Sequence, residues 1–309
     1  MEPQHPPLYE QKTHSRCRAI QSGYAPVASA DSLRFQLGYS AALNFIVRSY
    51  DCTNAFQCTY EPDARKRVYC RLPPLYLQWY NYRYSWDSLE STDGPFVLQA
   101  GQVIQGTPHA GYSWYINIHK RLCLHEYKRN STDMGFYVKY INGEIVAMMS
   151  LTVDDCLFTV RSHKDETHFH SFMSDAYEVT SPGNQPVLKF LSTRIVISPL
   201  GISLNQTQHI QQKILHTWFP VNTSAKSITT PFDPNPEFEC TLGTTKALSD
   251  KDLQSFETAY HGEFRHTIGQ LLHIQQWTRA DISFSVASLA SFNNSPNAPA
   301  FQGLKRVMI

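Results

Sequence analysis

The stretch GFYVKYINGEIVAMMSLTVDDCLFTV, Gly135 to Val160, decides how this chain folds. GFYVKYI and EIVAMMS are rich in β-branched and aromatic residues, and Asn142-Gly143 between them is the pair best suited to the positive-φ positions of a tight hairpin turn. A second hairpin is predicted at once, because the apolar runs AMMSLTV and CLFTV are separated only by Asp154-Asp155. Consecutive hairpins predict an antiparallel sheet, and they present two carboxylates at one tight turn.

Working toward the N-terminus, AGYSWYINIHKRLCLHEY repeats its apolar residues at Ala110, Trp114, Ile118 and Leu122, the spacing of one helix face, with Gly106 and Pro108 marking its start. LRFQLGYSAALNFIV predicts another core helix beginning near Ser32, with Ser29 or Asp31 as N-cap. The following FIVRSYDCTNAFQCTY reads as a short buried strand with Asp51 at its end. Residues 1–30, polar and proline-containing, predict a poorly ordered lead-in. The aromatic run YLQWYNYRYSWDS reads as core or packed surface before it reads as a base-stacking platform.

Toward the C-terminus, DETHFHSFMSDAYEV predicts a helix, VLKFLSTRIVIS and GISLNQ a hairpin around Pro199–Gly201, and HIQQKILHTWF a further helix. Residues 222–248, rich in Ser, Thr, Pro and Asn, read as a linker, and residues 249–309 as a helical segment.

With 309 residues, 42% of them hydrophobic and 17% charged, the chain is able to bury a substantial core. No run approaches the ~18 apolar residues of a membrane span, and MEPQHPPLYEQ lacks the basic and apolar regions of a signal peptide, so an intracellular, cytoplasmic address is expected, with no membrane partner. Seven scattered cysteines without a C-x-x-C pair predict reduced, partly buried thiols. A formal charge of +1 supplies no overall attraction for phosphate, which leaves Lys120-Arg121, Lys128-Arg129 and Arg65-Lys66-Arg67 as local basic candidates, each also readable as a solvated face.

An Asp-Asp pair between apolar runs reads as a solvated turn when taken alone. Asp51 changes that, because its strand is suited to lie beside the Asp154-Asp155 hairpin and bring three carboxylates to one edge. Such a cluster repels itself unless protons or cations compensate, and its hard oxygens suit Mg²⁺. Two such ions about 3.5–4 Å apart serve phosphoryl and nucleotidyl transfer. Carboxylates alone do not separate polymerases from nucleases or cyclases.

The ordered blocks GYAPVASADSLRF (23–35), SYDCTNAFQCTY (49–60), IQGTPHAGYSWY (104–115), SLTVDDCLFTV (150–160), VLKFLSTRIVISPLGISLNQTQHI (187–210), ITTPFDP (228–234) and FRHTIGQLLHIQQWTRADISFSVASLASF (264–292) together resemble the copia-type long-terminal-repeat retrotransposon reverse transcriptases. The resemblance implies an α+β fold: a right-hand polymerase palm, an antiparallel sheet backed by helices, over residues 31–221, followed by a helical thumb- or connection-like C-terminal part. It also implies fingers truncated ahead of Gly23 and a helical segment that stops before an RNase H domain.

The same resemblance implies that Asp51, Asp154 and Asp155 are catalytic and bind two Mg²⁺ ions, with Mn²⁺ as a substitute. Phe56 then packs beneath the incoming sugar, a position that a plain core phenylalanine would also fill. Gln105 and Gly106 lie beside the templating base and nucleotide, and Phe190 and Leu191 grip the primer. The partners implied are an RNA or DNA template with primer and deoxynucleoside triphosphates. This chain departs from the pattern at Thr152, Pro108-His109, Ser192 and Ala280, where the family usually has Tyr, Lys-Gln, Gly and Pro. The alternative to an RNA-directed DNA polymerase is therefore a retroelement remnant without turnover that binds nucleic acid weakly at most.

Overall fold

The computed structural model describes residues 25–60, 68–71, 75–83, 97–181, 183–219 and 228–309. They fall into two compact units, one of Met1–Pro26 with Asn54–His125 and one of Val27–Thr53 with Glu126–Ile309. Most of the predicted lead-in, the run Arg65-Lys66-Arg67, Cys17, and the tail of the aromatic segment after Arg83 lie outside the described residues.

The larger unit opens with α1 (Ala30–Ala42), where Ser29 is the N-cap and its side chain accepts from the Ser32 backbone N–H. Strand β1 (Ile46–Thr53) follows, so Asp51 stands two residues before its end. The smaller unit holds β2 (Tyr69–Arg71), α2 (Tyr76–Arg83), β3 (Val97–Gln99) and α3 (Ala110–Leu124). Strands β2 and β3 pair antiparallel. In α3 the residues Ala110, Trp114, Ile118 and Leu122 are buried as their spacing predicts. No residue of α2 is buried and Tyr82 is 88% exposed, so its aromatic residues are not core.

The chain then returns to the larger unit through β4 (Tyr127–Arg129), β5 (Phe136–Ile141), β6 (Glu144–Thr152), β7 (Asp155–Val160), α4 (His163–Ser174) and β8 (Glu178–Thr180). Their sheet runs β4-β5-β6-β7-β1-β8 and every pairing in it is antiparallel. Asn142-Gly143 forms the β5–β6 turn, both residues at positive φ (52° and 82°). Strands β6 and β7 are the sheet's centre and their apolar runs are buried on both faces.

One face carries Val47 and Leu157, which pack with Leu33 and Leu37 of α1. The opposite face carries Tyr50 and Phe158, whose rings meet Phe169 of α4. Phe158 and Phe169 stack at 3.8 Å between centroids. Helix α1 is also held by a polar lock that its apolar spacing does not disclose. The fully buried Gln36 donates to Met148 O (3.1 Å) and Leu157 O (3.0 Å), and it accepts from Ser150 Oγ (2.6 Å). Residues Val27 and Ala28 run along the sheet, where Ala28 N donates to Leu151 O. Gly135 is required there, because a Cβ would overlap the backbone of Val27 and Ala28.

A second antiparallel sheet, ordered β11-β10-β9, comprises β9 (Val187–Phe190), β10 (Thr193–Ser198) and β11 (Gly201–Asn205). A continuous helical run follows, made of α5 (Thr207–His209), a π-helical stretch Ile210–Leu215 and α6 (His216–Trp218). The segment 222–248, expected as a linker, instead contains α7 (Pro236–Thr244). Asn235 caps it, Pro236 suits its first turn, and Leu242 is buried in the C-terminal core. Its Ser, Thr and Pro composition marks helix ends rather than the absence of a helix.

Helices α8 (Asp250–Ala259), α9 (Phe264–Trp277), α10 (Ser283–Ala290) and α11 (Ala298–Val307) complete that core around Phe264, Leu289 and Phe301. Trp277, at the end of α9, packs with Leu33, Val47 and Leu188, which joins the helices to the sheets. No helix among the described residues is long and apolar enough to cross a membrane.

Candidate active site

Register brings the three aspartates together. Asp51 of β1 is directly opposite Asp155 of β7, and directly opposed residues of an antiparallel pair present their side chains on the same face. Asp154 lies in the turn next to Asp155. The Asp154 carbonyl accepts from the Cys52 backbone N–H at 3.1 Å, which ties the turn to β1.

The tip of this hairpin differs by one residue from the sequence expectation. Thr152 pairs with Asp155, so the two-residue turn is Val153-Asp154 and Asp155 is the first residue of β7. Val153 adopts φ 53°, a conformation that costs a β-branched residue on the order of 1–3 kcal/mol. Backbone strain of that kind persists only where the surroundings enforce it, and here it sits between the paired strands that carry the carboxylates.

Burial and the adjacent Asp154 carboxylate hold the Asp51 carboxyl above the usual carboxylate range. Burial, Asp154 and Asp51 do the same for Asp155. Both groups therefore keep protons to higher pH in the folded chain than in the unfolded one, so metal-free stability falls as pH rises through and above the usual carboxylate range. Asp155→Asn removes one of the repelling charges. In chelator at pH 7 we expect this variant to melt about 1–3 °C above the unchanged chain, with the difference vanishing near pH 4. Thermal melts at the two pH values check it, and an unchanged or lower midpoint at pH 7 contradicts the repulsion.

On the sheet's other face, behind the carboxylates, Cys52 and Cys156 are buried free thiols. A hydrogen bond with Cys52, together with burial, pushes the Cys156 thiol well up, which leaves it inert. Among the described residues no group of three or more His, Cys, Asp or Glu side chains is arranged to hold a metal ion as it stands. The donor chemistry nonetheless fits a hard divalent cation, since the three carboxylates at this edge offer only anionic oxygen.

Phe190 ends β9 and is buried, and Leu191 packs against the same core. Leu191 and Ser192 form the β9–β10 turn with φ 47° and 61°, two left-handed residues without a glycine. Leu191 O lies 3.0 Å from His273 Nε2, which anchors the turn to α9. Ser192→Gly is expected to stabilise the chain by about 1 kcal/mol, because glycine carries no left-handed penalty. Urea denaturation reads that as a rise in midpoint, and a fall shows that the serine side chain stabilises the turn.

Phe56, Gln105 and Gly106 belong to the smaller unit. Phe56 is half-buried in the turns after Asn54, and Thr59 N donates to Phe56 O. Gln105 is exposed, and Gly106 adopts φ 91° in the turn ahead of α3. Of the basic candidates, Lys120 and Arg121 lie on α3 and Lys128 and Arg129 on β4. Gln36, the strained Val153 and the tie from Cys52 to Asp154 were not legible as parts of the site, since each depends on pairing between distant strands.

Comparison with known proteins gives the same direction. The family described as reverse transcriptase (RNA-dependent DNA polymerase) matches residues 10–234. The chain is 26% identical over 288 residues to the retrovirus-related Pol polyprotein from transposon RE1 of Arabidopsis thaliana, covering 92% of this chain and 17% of that protein. It is 23% identical to the corresponding RE2 polyprotein of the same plant, again over 92% of this chain and 17% of the relative. The TNT 1-94 polyprotein of Nicotiana tabacum is 19% identical, over 92% of this chain and 20% of its own length. The chain thus spans about a sixth of the first two relatives.

Among solved structures, telomerase from Candida albicans with a fragment of telomeric RNA overlaps at TM-score 0.33 and 12% identity, over 93% of this chain and 45% of that one. Apo telomerase from Candida tropicalis overlaps at TM-score 0.30 and 10% identity, over 57% and 39%. Both overlaps are too slight to bear on the fold. The family match covers well over half of the chain and includes all three aspartates, so the chain belongs to the reverse transcriptase (RNA-dependent DNA polymerase) family, of the copia retrotransposon type.

Proposed function

We propose that this chain is an RNA-directed DNA polymerase domain that extends a primer on an RNA or DNA template with deoxynucleotides. The observation that carries this reading is the direct pairing of Asp51 with Asp155, with Asp154 in the adjoining turn, inside a reverse transcriptase family chain. In the reaction the primer 3′-oxygen bonds to the α-phosphorus of the nucleotide, its proton is lost, and pyrophosphate leaves.

Asp51, Asp154 and Asp155 would hold two Mg²⁺ ions, with Mn²⁺ as a substitute. When bound, such ions lower the energy of the attacking and leaving oxygens and offset charge on the transferred group. The chain's own contribution is positioning. Asp51 and Asp155 stand on strands hydrogen-bonded within the sheet, and the Cys52–Asp154 bond holds the third carboxylate beside them. Phe56, Gln105 and Gly106 take the nucleotide-side roles of the family, and Phe190 and Leu191 the primer-side role.

Primer extension on poly(rA)/oligo(dT) with purified protein, dTTP and Mg²⁺ or Mn²⁺ tests the proposal. A ladder of extended products supports it. No extension by protein shown to be folded supports the second reading, a remnant without turnover. That reading is favoured by the departures from the family pattern at Thr152, Pro108-His109, Ser192 and Ala280.

A further inference from the structure

The pairing that sets Asp51 opposite Asp155 extends one strand further on each side. Thr152 of β6 is directly opposite Asp155, and Thr180 of β8 is directly opposite Asp51. Thr152, Asp155, Asp51 and Thr180 therefore form one row across four adjacent strands. Directly opposed residues share a face, so two hydroxyls flank two carboxylates. The two threonines differ in their surroundings. Thr180 is exposed, and its hydroxyl is open to water. Thr152 Oγ1 is buried and has no hydrogen-bond partner.

Neighbouring polar groups are already engaged. Ser150, two residues back on β6, donates to Gln36 Oε1 at 2.6 Å. The Asp133 carboxylate, just ahead of the Gly135 whose carbonyl accepts from Leu151 N, accepts from Ser29 N (2.8 Å), Ser32 Oγ (2.5 Å) and Gly135 N (2.9 Å). Asp155 is different. Among the described residues no group donates to its carboxylate, and its charged neighbours are Asp154 and Asp51. A buried hydroxyl without a partner costs roughly 1–3 kcal/mol, and an ionised carboxylate is purely an acceptor. A donor and an acceptor that both lack partners thus occupy directly paired positions.

Cβ atoms of such a pair lie about 4.5–5.5 Å apart, so rotation between staggered side-chain rotamers brings the two groups into hydrogen-bond reach. Residue type matters here. Threonine carries its hydroxyl directly on Cβ, beside the opposed carboxylate, whereas the tyrosine usual at this position carries it at the far end of a ring, well past that carboxylate. We infer that Thr152 is a positioning residue for Asp155, its hydroxyl donating to the Asp155 carboxylate and fixing the orientation in which that carboxylate serves the site. The inference rests on the assignment of Asp155 as a metal ligand under the proposed function. Hydrogen-bond partners that orient a metal-holding group typically change metal affinity by 10–100-fold.

The test titrates Mn²⁺ into the full chain by electron paramagnetic resonance, without nucleic acid or nucleotide, and adds thermal melts in chelator. Thr152→Val keeps the side-chain shape and deletes the hydroxyl, while Thr152→Ser keeps the hydroxyl. Both are compared with the unchanged chain and with the Asp154→Asn, Asp155→Asn double variant. Thr152→Val is expected to bind Mn²⁺ about tenfold more weakly, at the low end of that range, with Thr152→Ser restoring most of the affinity. Its melting midpoint in chelator is expected not to fall, because the deleted hydroxyl has no partner there. Equal Mn²⁺ binding by Thr152→Val and the unchanged chain overturns the inference and leaves the metal assignment standing. Weaker binding that serine does not restore, or that comes with a lower midpoint in chelator, assigns the hydroxyl a structural role and also overturns it. If the unchanged chain binds Mn²⁺ no more tightly than the double variant, the metal assignment falls and the inference falls with it.

Discussion

Replacing Asp154 and Asp155 together by Asn is expected to reduce primer extension by at least about a thousandfold, equivalent to roughly 4 kcal/mol of transition-state stabilisation. Asn keeps the size of Asp and its ability to sit in the Val153-Asp154 turn, so the hairpin is retained while two of three negative charges are removed. Burial and mutual repulsion already hold Asp51 and Asp155 above the usual carboxylate range, so the variant loses charge without losing stability. Melting curves and circular dichroism confirm the fold, and extension is read on poly(rA)/oligo(dT) in both Mg²⁺ and Mn²⁺. Extension that survives the double change would show that Asp154 and Asp155 do not hold the catalytic metals, and the assignment of Asp51 would fall with them.

The second large effect concerns stability. Glu166→Ala is expected to cost about 3–5 kcal/mol, because it strands a buried guanidinium. The Arg48 side chain is 6% exposed and that of Glu166 18%. Arg48 Nε donates to Glu166 Oε1 at 2.5 Å, while its Nη1 reaches Val47 O (3.0 Å) and Asn184 Oδ1 (3.3 Å). Removing the carboxylate leaves the charge unpaired between β1 and α4. Replacing both partners with apolar residues, Arg48→Met with Glu166→Leu, is expected to be far milder, within about 1 kcal/mol, since desolvation is then avoided altogether. Urea denaturation of the single and double variants yields the coupling energy. A cost under about 1 kcal/mol for Glu166→Ala would mean that the pair is solvated. Because Arg48 precedes Asp51 by three residues on β1, loosening this pair also loosens the strand that positions the site.

Legibility in the sequence follows the range of the interaction concerned. The Asn142-Gly143 hairpin, the buried stripe of α3 and the Ser29 cap were readable because each depends on residues within a turn or two of one another. Helix α7 was hidden by its composition, although Asn235 and Pro236 are good start signals, because its helical state is decided by Leu242 reaching a core assembled from residues up to Val307. Gln36 was unreadable for the same kind of reason. A glutamine in an apolar helix looks like a surface residue until strand carbonyls 112 and 121 positions away require it.

The site divides in the same manner. The sequence by itself determined that the three aspartates end or join apolar runs, and that their order and spacing match one polymerase family. Only the tertiary structure decided that Asp51 faces Asp155, that the turn falls at Val153-Asp154, and that the unpartnered Thr152 hydroxyl stands at the position paired with Asp155. The physical reason is that strand periodicity is a local property of the chain. Register between strands, and the row of side chains that it brings to one edge, are set by which distant backbones exchange hydrogen bonds.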